Sequence, residues 1–188
     1  YVGTGQFTHW ARQDQLSYQA LLEQARKASD TAAIAELEAL GPPPWPDAAS
    51  DAIVSRRSGA LTPAEQAAFD PALAALIQNP PAGANYIPPG APPADTRARA
   101  MAAYGLLRGE LKAFDARRLG TEFEIPMLFV QGDQDLYSVT SEVLAYAREI
   151  TAPRQSAVLI AGGGHSCVFL REAFGVHLRD FLKNTPAD

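Results

Sequence analysis

Two short apolar runs limit what this chain can fold into: Met127-Leu128-Phe129-Val130 and Ala157-Val158-Leu159-Ile160. Each is apolar at successive positions, the pattern of a strand in a parallel sheet that is covered on both faces. Helical periodicity occupies about 140 to 150 between them and about 167 to 183 after them. The result is a βαβα unit with strands at 126 to 131 and 156 to 161, parallel and joined by a right-handed crossover. Two or three strands do not complete such a sheet, so its remaining neighbours are expected from another segment.

Both runs give way to polar residues. The first ends in Gly132, with Asp133 and Asp135 just beyond; the second ends in Gly162, Gly163 and Gly164, then His165. Open parallel sheets place their chemistry outside the carboxyl ends of their strands. A carboxylate and an imidazole at adjacent strand ends are two parts of a nucleophilic triad. The histidine takes the nucleophile's proton, and the acid fixes its tautomer and stabilises the imidazolium. Asp135 and Asp133 compete for the acid's role. The order acid then histidine is the one an α/β-hydrolase shows after its nucleophile has passed. No G-x-S-x-G elbow occurs; the nearest approach, Gly164-His165-Ser166-Cys167-Val168, lacks the second glycine.

The residues before Ile125 are of a different kind. Tyr1-Val2-Gly3 reads as a strand end. Helical patterns run from about Trp10 to Ala28, from an Asp30 cap to Leu40, and from about Ala48 to Arg57. Thr62-Pro63-Ala64-Glu65 reads as a capping box with proline at the first helical position, opening a helix interrupted near Pro71 and ending about Gln78. Asn79 to Pro93 holds six prolines and two glycines, the composition of a lid or binding loop. Helical periodicity returns from about Ala94 to Arg118, with Gly105 or Gly109 as candidate break points, and Gly120 ends it. The expected organisation is a core-strand end at 1–5, a helical cap at 6–120 and a βαβα core portion at 121–188.

Composition excludes several classes. The 188 residues are 47% hydrophobic and 20% charged, with a net charge of −5 and scattered basic residues. That balance leaves no electrostatic footprint for nucleic acid. No apolar run is long enough to cross a bilayer. A single cysteine, Cys167, permits no internal disulfide, and three histidines without E-x-x-H spacing give no metal site. No cofactor is expected, and the localisation expected is cytoplasmic.

Bland readings stand beside the chemical one. Aspartates are common turn residues, His9 precedes a helix, and His177 flanks the stripe Phe174, Leu178 and Phe181. The three glycines between strand and helix could cradle phosphate, but Cys167 stands where G-x-G-x-x-G requires glycine. Ser166 or Cys167 could be a nucleophile on a strand-turn-helix elbow, although neighbours in a chain rarely align their side chains for proton transfer. Trp10, Trp45 and Tyr86 are candidate substrate-pocket residues, and core packing accounts for them equally well.

As a whole, the chain resembles the carboxyl-terminal part of an α/β-hydrolase, in particular the prolyl aminopeptidase (proline iminopeptidase) type. Tyr1-Val2-Gly3-Thr4-Gly5-Gln6, the helix with Tyr18 and Ala25-Arg26, the helix with Leu37 and Leu40, and Gly41-Pro42-Pro43-Pro44-Trp45 resemble that group's strand-to-cap passage. Gly132-Asp133-Gln134-Asp135 and Gly164-His165 resemble its acid and histidine motifs. The resemblance covers both ends of the chain, with 47–124 compatible with a variable cap. It favours Asp135 over Asp133 and implies that the nucleophilic serine and the oxyanion hole lie upstream of Tyr1. It also implies release of an amino-terminal proline or similar residue from a short peptide. Esterases and amidases share these motifs. The contrasting expectation is a non-catalytic binding module using the cap and the proline-rich loop, in which Asp135 faces solvent.

Overall fold

The structure, a computed structural model, describes residues 1–70 and 96–185. The expected helical stretch beyond Pro71 and the proline-rich loop with Tyr86 lie outside the described residues. The elements run β1 (Val2–Thr4), α1 (Trp10–Lys27), α2 (Thr31–Leu40), α3 (Ala48–Ser58), α4 (Pro63–Ala68), α5 (Thr96–Lys112), β2 (Met127–Gly132), α6 (Thr140–Glu149), β3 (Gln155–Ile160) and α7 (Arg171–Lys183). The class is mixed α/β. The three strands are parallel in the order β1-β2-β3.

β2 is the central strand, and its period-2 geometry divides its side chains between two cores. Met127 and Phe129 pack with Val143, Tyr146, Ala147 and Ile150 of α6 and its end. Leu128 and Val130 pack on the other face with Ile160, Cys167 and Phe181. Every β2 residue is buried, as its unbroken apolar run requires. β3 departs from the same expectation. Its outward face, Gln155, Ala157 and Leu159, is exposed, because α6 lies over β2 and no strand pairs beyond β3 among the described residues.

The helix starts reflect local chemistry. Asp30 and Asp47 accept the backbone N–H of Ala33 and Ser50, and His9 caps α1 through Nδ1. Such caps satisfy N–H groups that the first turn leaves without partners. Two expected helices are each split. The 94–118 stretch runs as α5 to Lys112, and a 3-10 turn, Ala116–Leu119, resumes after Asp115. The break has a cause: Phe114 carbonyl accepts from Trp10 N, and Ala116 N donates to Thr8 carbonyl, so this backbone is diverted to anchor the start of α1. The 167–183 stretch likewise divides into a 3-10 turn, Cys167–Phe169, and α7.

Helices α1, α2 and α3 close around Tyr18, Leu21, Leu37, Trp45 and Val54. They are tied to the sheet by polar bonds. Glu142 of α6, 2% exposed, receives Arg12 of α1 at 2.6 Å and Arg117 at 2.9 Å. Gln13 Oε1 accepts Val139 N at 2.5 Å.

A second charged cluster joins α3 to α5. Asp51 accepts Arg108 Nε at 2.6 Å, Lys112 Nζ at 2.8 Å and Tyr104 Oη at 2.7 Å. Burial pushes the Asp51 carboxyl up, but these three donors outweigh it and hold it below 3.8. Its contribution to stability is therefore present above that ordinary value and lost as pH falls through the depressed folded value. Neighbouring Asp14 is pushed up by burial against the pull of Lys112, and gives a slope of opposite sign above 3.8. Replacing Asp51 with Asn should flatten the acid limb of a urea-denaturation stability profile below pH 4 and also shrink the Asp14 slope, because the Asp51 charge helps to push Asp14 up.

Candidate active site

The two strand ends are brought together by backbone contact. A Cβ built on Gly132 would collide with the carbonyl oxygens of Gly163 and Gly164. Only glycine lets the loop after β3 lie against the end of β2. The link is sealed by Gln134 N donating to Gly163 carbonyl at 2.8 Å. Asp135 and His165, thirty positions apart, meet across this contact, with Nδ1 at 3.2 Å from Asp135 Oδ2.

Asp135 is 2% exposed, and five donors converge on it. Oδ1 accepts the backbone N–H groups of Tyr137 at 2.8 Å and Ser138 at 3.0 Å. Oδ2 accepts Gln131 Nε2 at 2.7 Å, the Ser138 hydroxyl at 2.6 Å and the His165 ring. An ionised carboxylate only accepts, so this shell suits it without leaving a buried donor opposed. Burying such a group is costly unless it is hydrogen-bonded in this way.

His165 Nδ1 also lies 3.2 Å from Ser138 Oγ. Because that hydroxyl donates to Asp135, the proton between ring and acid sits on Nδ1. Nε2 makes no hydrogen bond among the described residues, and the side chain is 30% exposed. The ring is held edge-on by Tyr137, with centroids 4.6 Å apart. Its Cε1 lies over the end of β1, 2.9 Å from where a Cβ on Gly5 would stand.

The competing assignments separate on geometry. Asp133 is exposed, and its Oδ1 accepts Gly162 N at 2.9 Å, so it braces the loop and does not face the ring. The phosphate-cradle reading fails because the three glycine N–H groups are taken: Gly162 by Asp133, Gly163 by Ile160 carbonyl, and Gly164 by Glu65. Cys167 is buried, with Sγ 3.6 Å from Thr4 Oγ1. Ser138 is the only serine within reach of the ring among the described residues, but it is 0% exposed and approaches Nδ1, the nitrogen that faces the acid. It orients the carboxylate.

Of the aromatic candidates, Trp10 stacks on Phe7 at 4.5 Å, and Phe7 meets Tyr137 edge-on at 5.1 Å. This connects Trp10 to the His165 ring through two side chains. Trp45 is buried in the helical core and donates Nε1 to Gly41 carbonyl. Both tryptophans line a small space of about 20 Å³ with Gln13, Ser17, Tyr104 and Tyr137. A larger cavity of about 520 Å³ beside Trp45, Arg12 and Lys112 does not touch the acid–histidine pair. Among the described residues no group of His, Cys, Asp or Glu could hold a metal, and no helix is long and apolar enough to cross a membrane.

Sequence reasoning missed Gln131, Tyr137 and Ser138. Ser138 had a signal in the D-x-x-S spacing, which lets Asp135 accept a backbone N–H three residues on. Gln131 had none, being one more residue of a buried strand. Comparison with known proteins adds no family: no family model, curated protein or solved structure matches the chain.

Burial pushes the Cys167 thiol up, and only the thiolate is reactive. In the native protein Cys167 should react with a disulfide reagent such as DTNB far more slowly at pH 7 than in 6 M guanidinium. Equal rates in the two conditions would restore the cysteine as a nucleophile candidate.

Proposed function

We propose that Asp135 and His165 are the acid and base of a serine hydrolase of the α/β-hydrolase type. The observation that carries this reading is the buried Asp135 carboxylate in hydrogen-bond contact with Nδ1 of a partly exposed His165. The contrasting binding-module reading expects Asp135 to face solvent, whereas Asp135 is 2% exposed, which supports the hydrolase reading.

In the proposed reaction His165 Nε2 takes the proton of a serine hydroxyl as its oxygen attacks the substrate carbonyl. Nδ1–H stays bonded to Asp135, which stabilises the imidazolium without taking its proton. Nε2–H then protonates the departing amine, and the acyl-serine remains. Water repeats the sequence: Nε2 takes its proton, the ester bond breaks, and the proton returns to serine. No serine of this chain is placed for the first step among the described residues, so the hydroxyl and the oxyanion-binding N–H groups are proposed to come from outside these 188 residues. The outer edge of β1 is unpaired among the described residues. A strand added there would lie beside Gly5, the residue under the imidazole.

The substrate proposed is a short peptide with an amino-terminal proline or another small residue, consistent with the family resemblance of the motifs. An ester or an amide is the nearest alternative within the same chemistry.

The 188-residue chain alone should hydrolyse neither proline arylamides nor p-nitrophenyl esters above a buffer blank. In a longer polypeptide that contains it and turns over such substrates, Asp135→Asn should lower kcat by about 10⁴-fold and His165→Ala by a similar factor, with Asp133→Asn near wild type. Loss of activity in Asp133→Asn with retention in Asp135→Asn would reverse the acid assignment.

A further inference from the structure

The capping box that opens α4 reaches well beyond its own helix. Glu65 is 0% exposed, and its two carboxylate oxygens accept N–H groups from distant parts of the chain. Oε2 accepts Thr62 N at 2.9 Å, and Oε1 accepts Gly164 N at 2.8 Å. Thr62 Oγ1 donates to Gly162 carbonyl at 2.7 Å. An ordinary capping box is reciprocal within one helical turn. Here the same two side chains also hold the glycine loop on both sides of Gly163. The fit is close, since a Cβ on Gly164 would stand 3.0 Å from both Glu65 Oε2 and Thr62 Cγ2.

His165 is the next residue. Its backbone is one peptide bond from the nitrogen that Glu65 holds. Three consecutive glycines have wide conformational freedom, and a loop built from them does not fix the direction of a side chain at its end. The Asp135–His165 contact, at 3.2 Å, lies at the long limit of a good hydrogen bond. A small displacement of the loop would break it. A helix start does not need a buried carboxylate, because Asp30 and Asp47 cap their helices with purely local N–H partners. The use of the second Glu65 oxygen on Gly164 is therefore the informative feature.

We infer that Glu65, with Thr62, is a positioning residue that fixes the histidine loop so that Nδ1 of His165 faces Asp135. The inference rests on the reading of Asp135 and His165 as an acid–histidine pair. Helix α4 thereby sets the geometry of the base from about 100 residues upstream, without touching the ring.

The test reads the histidine itself. Long-range ¹H–¹⁵N spectra of the labelled 188-residue protein report which ring nitrogen of each neutral histidine carries the proton, and His165→Ala identifies the His165 signals. The wild type should hold the His165 proton on Nδ1, and Asp135→Asn should move it to Nε2. Glu65→Gln keeps the size of the side chain, but its amide can accept only one of the two N–H groups and opposes the other. It should lower the Nδ1–H to Nε2–H ratio by about tenfold or more, the scale of losses when groups that orient a functional histidine are changed.

If Glu65→Gln changes only the melting temperature while Asp135→Asn moves the proton, Glu65 is a helix cap and the inference is overturned. If the wild type lacks the Nδ1–H signal, or Asp135→Asn leaves it in place, the acid–histidine pair falls and the inference with it. If Glu65→Gln does not fold, Thr62→Ala takes its place. That variant keeps both backbone donors to Glu65 and deletes the two bonds of the Thr62 hydroxyl, to Gly162 carbonyl and from Glu65 N. The same direction of shift is expected, and an unchanged His165 signal would overturn the inference.

Discussion

The structure depends on the contact between two backbones, Gly132 at the end of β2 and Gly163–Gly164 after β3. Parallel pairing sets Gly132 opposite Ile160, so the two chains leave the sheet side by side. Without side chains at the crossing they approach closely enough for Gln134 to bond Gly163. Everything chemical about the site stems from that approach. Asp135 comes three residues after one glycine and His165 directly after the other, and their side chains meet on the same edge.

A buried carboxylate at this place is a liability that the fold must offset. Its burial would cost several kcal/mol if it stood alone. Gln131, the Tyr137 and Ser138 backbones, the Ser138 hydroxyl and the His165 ring offset the cost jointly. Most of these partners lie within four residues of Asp135, so the turn after β2 is nearly self-sufficient. His165 is the long-range member, and its loop is held by Asp133 on one side and by Thr62 and Glu65 on the other. The helical region and the sheet thus share one polar network, with Glu142 and its two arginines as a second junction.

Much of this was legible in the sequence, and the failures have physical causes. The unbroken apolar run at 127–130 identified a strand buried on both faces, and Asp30 and the Thr62–Glu65 box marked helix starts, because these signals act within a few residues. Asp135 and His165 stood out as polar groups just past strand ends. The run at 157–160 misled: Ala157 and Leu159 are exposed at a sheet edge while Ile160 is buried, yet the run looks identical in sequence to a strand covered on both faces. The break at Phe114 was invisible, since it depends on bonds to distant backbone and not on local propensity. In sequence Glu65 reads as a helix cap, and nothing in its neighbours shows that its second oxygen reaches the histidine loop.

At the centre of the proposed chemistry is an imidazole held ready to serve a serine hydroxyl that the chain does not itself place. The most direct measurement is to treat a natural polypeptide containing these residues with a fluorophosphonate probe and to locate the modified residue by mass spectrometry. The expected result is one labelled serine outside this segment, with labelling abolished by His165→Ala. Labelling of Ser138 or Ser166, or labelling that persists without the histidine, would contradict it.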